Sequence, residues 1–155
     1  MHIFGHWIFP IEFDHTEWFG FIYRITELST GREYLGKKQF GKLQRKVIKG
    51  RKNRKHIHSE SNWKEYTGSS IHLNEQIELN TKDNYKFEIV SLHKSKGSLH
   101  YAEVKIQIEE DVLRAYLPDG VTRKYYNKII NSVKYIPPDT HPDELAINNA
   151  LKEIK

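Results

Sequence analysis

FGFIYRIT, residues 19–26, and REYLGKK, residues 32–38, decide the reading of this chain. Each is patterned like a β-strand, and the TELSTG between them carries the turn residues Ser29, Thr30 and Gly31. Together they read as a hairpin. The hairpin brings Tyr23 and Tyr34 near each other and beside Lys37 and Lys38. A phenol flanked by cations is easier to deprotonate, because the phenolate gains an opposite charge nearby. Clustered cations are also what a phosphodiester needs. Taken alone, the two strings are better read as a hairpin with two half-buried tyrosines, and it is the rest of the chain that reverses this.

Working outward, the charge is unevenly spread. KKQFGKLQRKVIKGRKNRKHIH, residues 37–58, holds ten basic residues and no acid. Removing those ten from the chain's 25 leaves 15 basic against 20 acidic residues, so this one segment makes the protein, at a net +5, basic. Such a block attracts polyanions and releases their counterions. It follows a strand hairpin directly and leads into an aromatic segment, which favours a nucleic-acid contact over a solvated loop. Residues 41–60 are expected as a loop, with a helical turn around Leu43 to Ile48.

A chain of 155 residues is one domain by default, long enough to bury a real core. It has no cysteine, which excludes a disulfide framework and thiolate zinc sites and fits a reducing compartment. MHIFGHWIFPIEFDHTEW, residues 1–18, is apolar but short and carries Glu12, Asp14 and Glu17. It reads as neither signal peptide nor membrane span. It is expected as an extension lying across the core, with Trp7 and Trp18 as packing residues. The expectation is a soluble protein of the cytoplasm.

The remaining pattern is mixed α/β. Ser69 or Ser70 makes an N-cap for a helix over Ile71 to Asn80, with Leu73 and Ile77 on one face. Tyr85 to Leu92 alternates as a strand does. Ser98 to Leu113 carries a helical period with Leu99, Ala102, Ile106 and Leu113 inward. Tyr125 to Val133 is a short strand or extended segment. Asp143 to Ile154 reads as a surface helix started by Pro142.

That order of elements, with the two signature strings, resembles the GIY-YIG nuclease family. FIY at Phe21 to Tyr23 and YLG at Tyr34 to Gly36 stand for its two halves, with Phe21 in place of the name-giving glycine and Leu35 in place of isoleucine. The chain is most similar to the free-standing, Seg-like endonucleases of tailed phages, where the second half reads YIGKK and a basic stretch leads to WKxYxGSS. Here these are Tyr34 to Lys38 and Trp63-Lys64-Glu65-Tyr66-Thr67-Gly68-Ser69-Ser70. The segments Phe87 to Val90, Tyr101 to Lys105 and Tyr125 to Asn127 continue the likeness.

The resemblance implies an α+β domain over residues 19–131, with a central three-stranded antiparallel sheet flanked by helices, and a tail with a short helix over residues 132–155. It implies a metal-dependent DNA endonuclease of homing type; the alternative is a non-catalytic nucleic-acid-binding module on the same scaffold. Glu103 lies at the edge of its helix's apolar stripe, where a carboxylate suits a hard divalent cation, Mg2+ or Mn2+. Tyr23 is then the base or water-positioner, with Tyr34 supporting it. The family places an arginine on a helix soon after the second tyrosine. Arg45 fits by spacing, with Arg51 or Arg54 as alternatives across the insert before Trp63. Lys37 is expected to lower a tyrosine pKa or contact phosphate. The expected DNA-contacting set is Lys38, Lys42, Arg51, Arg54, Lys55, His58, Trp63 and Asn127, the last resembling a late polar residue that supports the acidic ligand.

Overall fold

The computed structural model describes residues 1–46 and 55–154, with backbone alone at 43–46 and 55–58. In chain order the elements are β1 (His2–Phe4), β2 (Trp7–Phe9), β3 (Gly20–Glu27), β4 (Glu33–Gln39), β5 (Gly41–Lys46), β6 (Lys55–Glu60), α1 (Ile71–Asn80), β7 (Tyr85–His93), α2 (Lys96–Glu109) and α3 (Pro142–Ile154).

The expected hairpin is β3–β4, antiparallel, with Tyr23 opposite Gly36 and Ile25 opposite Tyr34. β7 pairs antiparallel with the other side of β3, with a register shift between Ile22 and Tyr23. These three strands are the expected antiparallel sheet, but the sheet has five strands, in the order β1-β2-β7-β3-β4, and is mixed. The correction comes from the first nine residues. A tight turn at Gly5, φ +63°, folds β1 back on β2, and β2 joins β7 in parallel through Ile8 and Glu88. The first strands therefore extend the sheet instead of lying across it. Trp7 and Phe9 are fully buried there.

A second correction concerns the basic stretch. Its ends are strands, not loop or helical turn: β5 and β6 form a separate antiparallel ribbon in register from Gly41 opposite Glu60 to Lys46 opposite Lys55. Backbone pairing holds these residues although the sequence shows no half-buried alternation.

The sheet's two faces differ. Phe21, Tyr23 and Ile25 of β3 join Phe87 and Ile89 of β7 in the main core, covered by Trp63 and by Leu73 and Ile77 of α1. Ser70 caps α1, its Oγ accepting from the Leu73 amide at 3.2 Å. The other face carries α2. That helix starts at a Ser95 cap and ends at Glu109, short of the expected Leu113, which is 37 % exposed; Asp111 follows at φ +52°. Its buried residues are Leu99, Glu103, Val104 and Gln107, so the inward stripe runs through Glu103 itself. α3 is more than a surface helix. Its buried Glu144 accepts hydrogen bonds from the Lys94 amide and from Ser98 Oγ, fixing α3 to the start of α2.

Candidate active site

β4 is the edge of the sheet, and an edge strand offers unpaired N–H and C=O groups at alternate residues. This chain fills them from its late segment. Glu33 donates its amide to the Lys124 carbonyl and accepts from the Tyr126 amide, both at 2.8 Å. The Asn127 side chain takes both groups of Leu35, accepting from its amide at 3.1 Å and donating to its carbonyl at 2.8 Å, and Gln107 adds a second donor to that carbonyl at 3.1 Å. At Lys37, the next alternate position, the backbone amide faces the Glu103 carboxylate. Glu103 therefore sits over the edge of β4, where the two faces of the sheet meet.

The tyrosines reach this edge from the opposite face. Tyr23 and Tyr34 are diagonal cross-strand neighbours, their rings 6.1 Å apart. A side chain at Gly36 would collide with the Tyr23 ring, its Cβ lying 2.6 Å from Cζ, and Gly68 at φ +86° leaves room for both phenols. The Tyr66 ring packs edge-on against Tyr23, their centroids 6.0 Å apart, and Tyr34 Oη lies 3.0 Å from Ser69 Oγ. Glu103, Tyr34 and Ser69 line a small cavity of about 110 Å³ with Gln107, Asn127 and Lys128. Three hydroxyl-bearing aromatic rings, a serine and a buried carboxylate thus converge at one point.

The electrostatics correct one expectation. Burial pushes the Tyr23 phenol well above its ordinary pKa, and Tyr34, Tyr66 and Glu103 push it further the same way. Burial also raises Tyr34 and Tyr66. Lys37 does not ease their ionisation, because strand parity puts it on the α2 face while Tyr34, Gly36 and Lys38 share the other. Its ammonium instead lies 2.9 Å from His100 Nδ1. Burial raises the Glu103 pKa as well, opposed first by the charge of Lys37 and also by the Lys37 amide.

The expected DNA-contacting residues divide. Lys38 reaches over the Tyr66 ring at 4.2 Å and, with Lys37, Lys42, Ser61 and Asn62, lines an open cavity of about 610 Å³. Burial and the neighbouring Lys42 lower the Lys38 pKa. Trp63 is wholly buried between Trp7, which donates to its carbonyl at 2.5 Å, and Phe40, so it anchors the segment and has no face for a base. Asn127 is buried and occupied by Leu35, which makes it a strap on β4, not a DNA contact. Arg45, Lys55 and His58 lie on the ribbon, so Arg45 stands on a strand and not on a helix; α1, the helix that follows, contains no arginine. Arg51 and Arg54 fall outside the described residues. Among the described residues no group of three or more metal-ligating side chains occurs, and no helix is long and apolar enough to cross a membrane.

Sequence reasoning passed over three site residues. Tyr66 and Ser69 both lie in the WKEYTGSS string, but Ser69 was expected only as a helix cap and Tyr66 was given no place at the site. His100 sits three residues before Glu103, a spacing that puts both on one helix face and could have revealed it.

The family model described as "Putative endonuclease segE, GIY-YIG domain" matches residues 7–130. No match was found among curated proteins or among solved structures. The match takes in both signature strings, the ribbon, α1, β7, α2 and the Asn127 strap, and it starts at β2, in agreement with that strand's place in the sheet. The chain belongs to the GIY-YIG endonuclease-domain family.

Proposed function

We propose that the protein is a divalent-metal-dependent endonuclease that hydrolyses phosphodiester bonds in DNA, of the homing type carried by phages, and that it works in the host cytoplasm. The observation that carries this reading is the Glu103 carboxylate, buried at the free edge of β4 beside a cluster of tyrosine hydroxyls. A buried carboxylate is costly unless it meets a cation. Lys37 and His100 face it without closing a short ion pair on it, His100 Nδ1 standing at 3.9 Å. That donor set fits Mg2+ or Mn2+, which take one or two carboxylates and fill the remaining positions with water and phosphate oxygens. Bound to Glu103, such an ion would polarise the phosphate and stabilise the leaving oxygen.

The protein's own groups do the rest. Tyr23 stays protonated at neutral pH and orients the attacking water through its hydroxyl. Of the two roles expected for it, raised pKa and burial support the water-positioner over the base. Ser69 holds the Tyr34 hydroxyl, Tyr66 packs edge-on against the Tyr23 ring, and Asn127 keeps the β4 edge in register beneath them. Lys37, Lys38 and Lys42 line the open cavity beside this point and supply positive charge for the backbone of a nucleic acid. The segment that follows carries the chain's densest run of basic residues, which adds to that attraction.

Incubation with plasmid DNA tests the reading. Conversion of supercoiled plasmid in Mg2+ or Mn2+, abolished by chelator, is the expected result. DNA that is bound but left intact under all metal conditions would identify a non-catalytic binding module on this scaffold.

A further inference from the structure

His100 has its two ring nitrogens committed. Nε2 lies 2.9 Å from the Ser132 carbonyl oxygen, which only accepts, so Nε2 carries the proton. The lone pair is then on Nδ1, which faces the Lys37 ammonium at 2.9 Å. Lys37 and Glu103 are both within reach of this ring, and Lys37 makes its close contact with the ring nitrogen and not with the carboxylate. Without that acceptor, the ammonium and the carboxylate would be free to pair with each other. The histidine keeps them apart, leaving the carboxylate open to a cation and the ammonium open to an anion.

Lys37 is also placed where an anion can reach it. It belongs to the wall of the 610 Å³ cavity with Lys38 and Lys42, and to a second, of about 430 Å³, lined by His100, Lys96 and Tyr135. Among arginines whose side chains are described, none is free to take its place. Arg24 is paired with Glu33 and Glu110, Arg32 is held by the Arg123 carbonyl, Arg114 by Asp111, and Arg123 by the Leu113 carbonyl.

The anchor of the histidine comes from beyond residue 130, where the family match ends. Ser132 accepts from Nε2, the Tyr135 ring lies 6.3 Å from the imidazole, and the Tyr135 hydroxyl donates to the Gly97 carbonyl at 2.6 Å. Pro138 sits against Gly97, where a Cβ would stand 3.2 Å from it. The segment 132–138 therefore clamps the first turns of α2, from which His100 and Glu103 project.

We propose that His100 is a positioning residue that holds Lys37 as the cation for the scissile phosphate, and that the segment 132–138 braces it. Lysine is flexible, and a rotamer fixed before substrate arrives spares that reorganisation in the transition state. The proposal rests on the nuclease reading above, so its test has one arm that does not involve cutting.

That arm is acetylation of lysines by a limiting dose of acetic anhydride, read by peptide mass spectrometry. Lys37 should be protected in the wild type relative to exposed lysines such as Lys105, and the protection should disappear in H100A. The second arm is single-turnover cleavage at saturating DNA in Mg2+. K37M should slow the chemical step by roughly 100-fold, the scale for losing one preorganised charge-stabilising group. H100A should slow it by about tenfold with DNA affinity unchanged, as misplacement of one group does. H100N, whose Oδ1 can still accept from Lys37, should recover part of that loss. In a K37M background, H100A should change nothing further.

Equal labelling of Lys37 in wild type and H100A would overturn the proposal. So would a tenfold effect of H100A persisting in the K37M background, since the histidine would then act independently of the lysine. Thermal melts of each variant identify any that fail to fold, and H100N, which keeps a polar side chain of smaller size, replaces H100A if that variant does. A wild type that shows the protection and does not cut removes the nuclease reading and the phosphate role with it, leaving the His100–Lys37 contact alone.

Discussion

Gly36 stands opposite Tyr23 in the β3–β4 ladder, and the space left by its missing Cβ is where the Tyr23 phenol lies. The final glycine of the second signature string is thus required by the tyrosine of the first. The pair explains in steric terms why these two strings occur together.

Gly36→Ala puts a methyl group 2.6 Å from Tyr23 Cζ. The ring is fully buried among Trp7, Phe21 and Tyr66 and has no open side to move into. Overpacking of this kind costs about 1–3 kcal/mol. The expected outcome is a lowered melting temperature and loss of plasmid cleavage. A variant that melts and cuts like wild type would mean the phenol is not held there.

Tyr23→Phe removes one hydroxyl and keeps the ring, so the fold should persist while cleavage falls on the order of 100-fold. Because burial raises the phenols above their ordinary pKa of 10, Tyr23, Tyr34 and Tyr66 all stay protonated across the neutral range. The pH–rate profile of the wild type should therefore show no tyrosine ionisation below pH 10. A basic limb with a lower midpoint that is absent from Tyr23→Phe would show instead that the phenolate acts as base.

Asn127→Ala leaves the amide and carbonyl of Leu35 without this partner at a buried edge. Stranding such groups costs about 1–3 kcal/mol, and denaturant titration should register it. DNA affinity of the folded fraction should be unchanged. Weakened binding with unchanged stability would restore Asn127 to the DNA surface.

Glu103 ties stability to pH with a definite sign. Its folded pKa is raised, mainly by burial, so the folded state favours the protonated acid. That contribution is fully present below the ordinary value of 4.5 and is lost as pH rises through the folded pKa. Glu103→Gln should therefore be more stable than wild type at neutral pH in the absence of metal, with the difference closing in acid. Mg2+ should raise the melting temperature of the wild type and leave the variant unmoved. Calorimetry at pH 4 and pH 7 checks both parts.

The parts of this molecule legible in sequence are those fixed by local rules. The β3–β4 hairpin, the Ser70 cap of α1 with Leu73 and Ile77 inward, and the β7 alternation needed only turn chemistry and periodicity. What escaped was set by distant partners. β1 and β2 are three residues each, and β2 pairs with β7 between Ile8 and Glu88, about half the chain apart. The ribbon strands GKLQRK and KHIHSE hold one aliphatic residue each, Leu43 and Ile57, too few for an alternating pattern to reveal them. Asn127 is committed by a backbone 92 residues away. The misjudged tyrosine electrostatics were decipherable, since Tyr34 and Lys37 differ by an odd number of strand positions and cannot share a face. At the site, the tyrosines and Glu103 are brought together as the family resemblance implied, while the cation beside Glu103 is Lys37, which has a histidine partner that the resemblance did not supply.

The central claim is that the Glu103 carboxylate carries cleavage and not DNA affinity. The direct measurement is single-turnover cleavage of a saturating DNA substrate in Mg2+, wild type beside Glu103→Gln, with binding of each measured in chelator. The account predicts comparable affinity and no cleavage by the variant. Metal-supported cleavage by Glu103→Gln at a rate near wild type would contradict it.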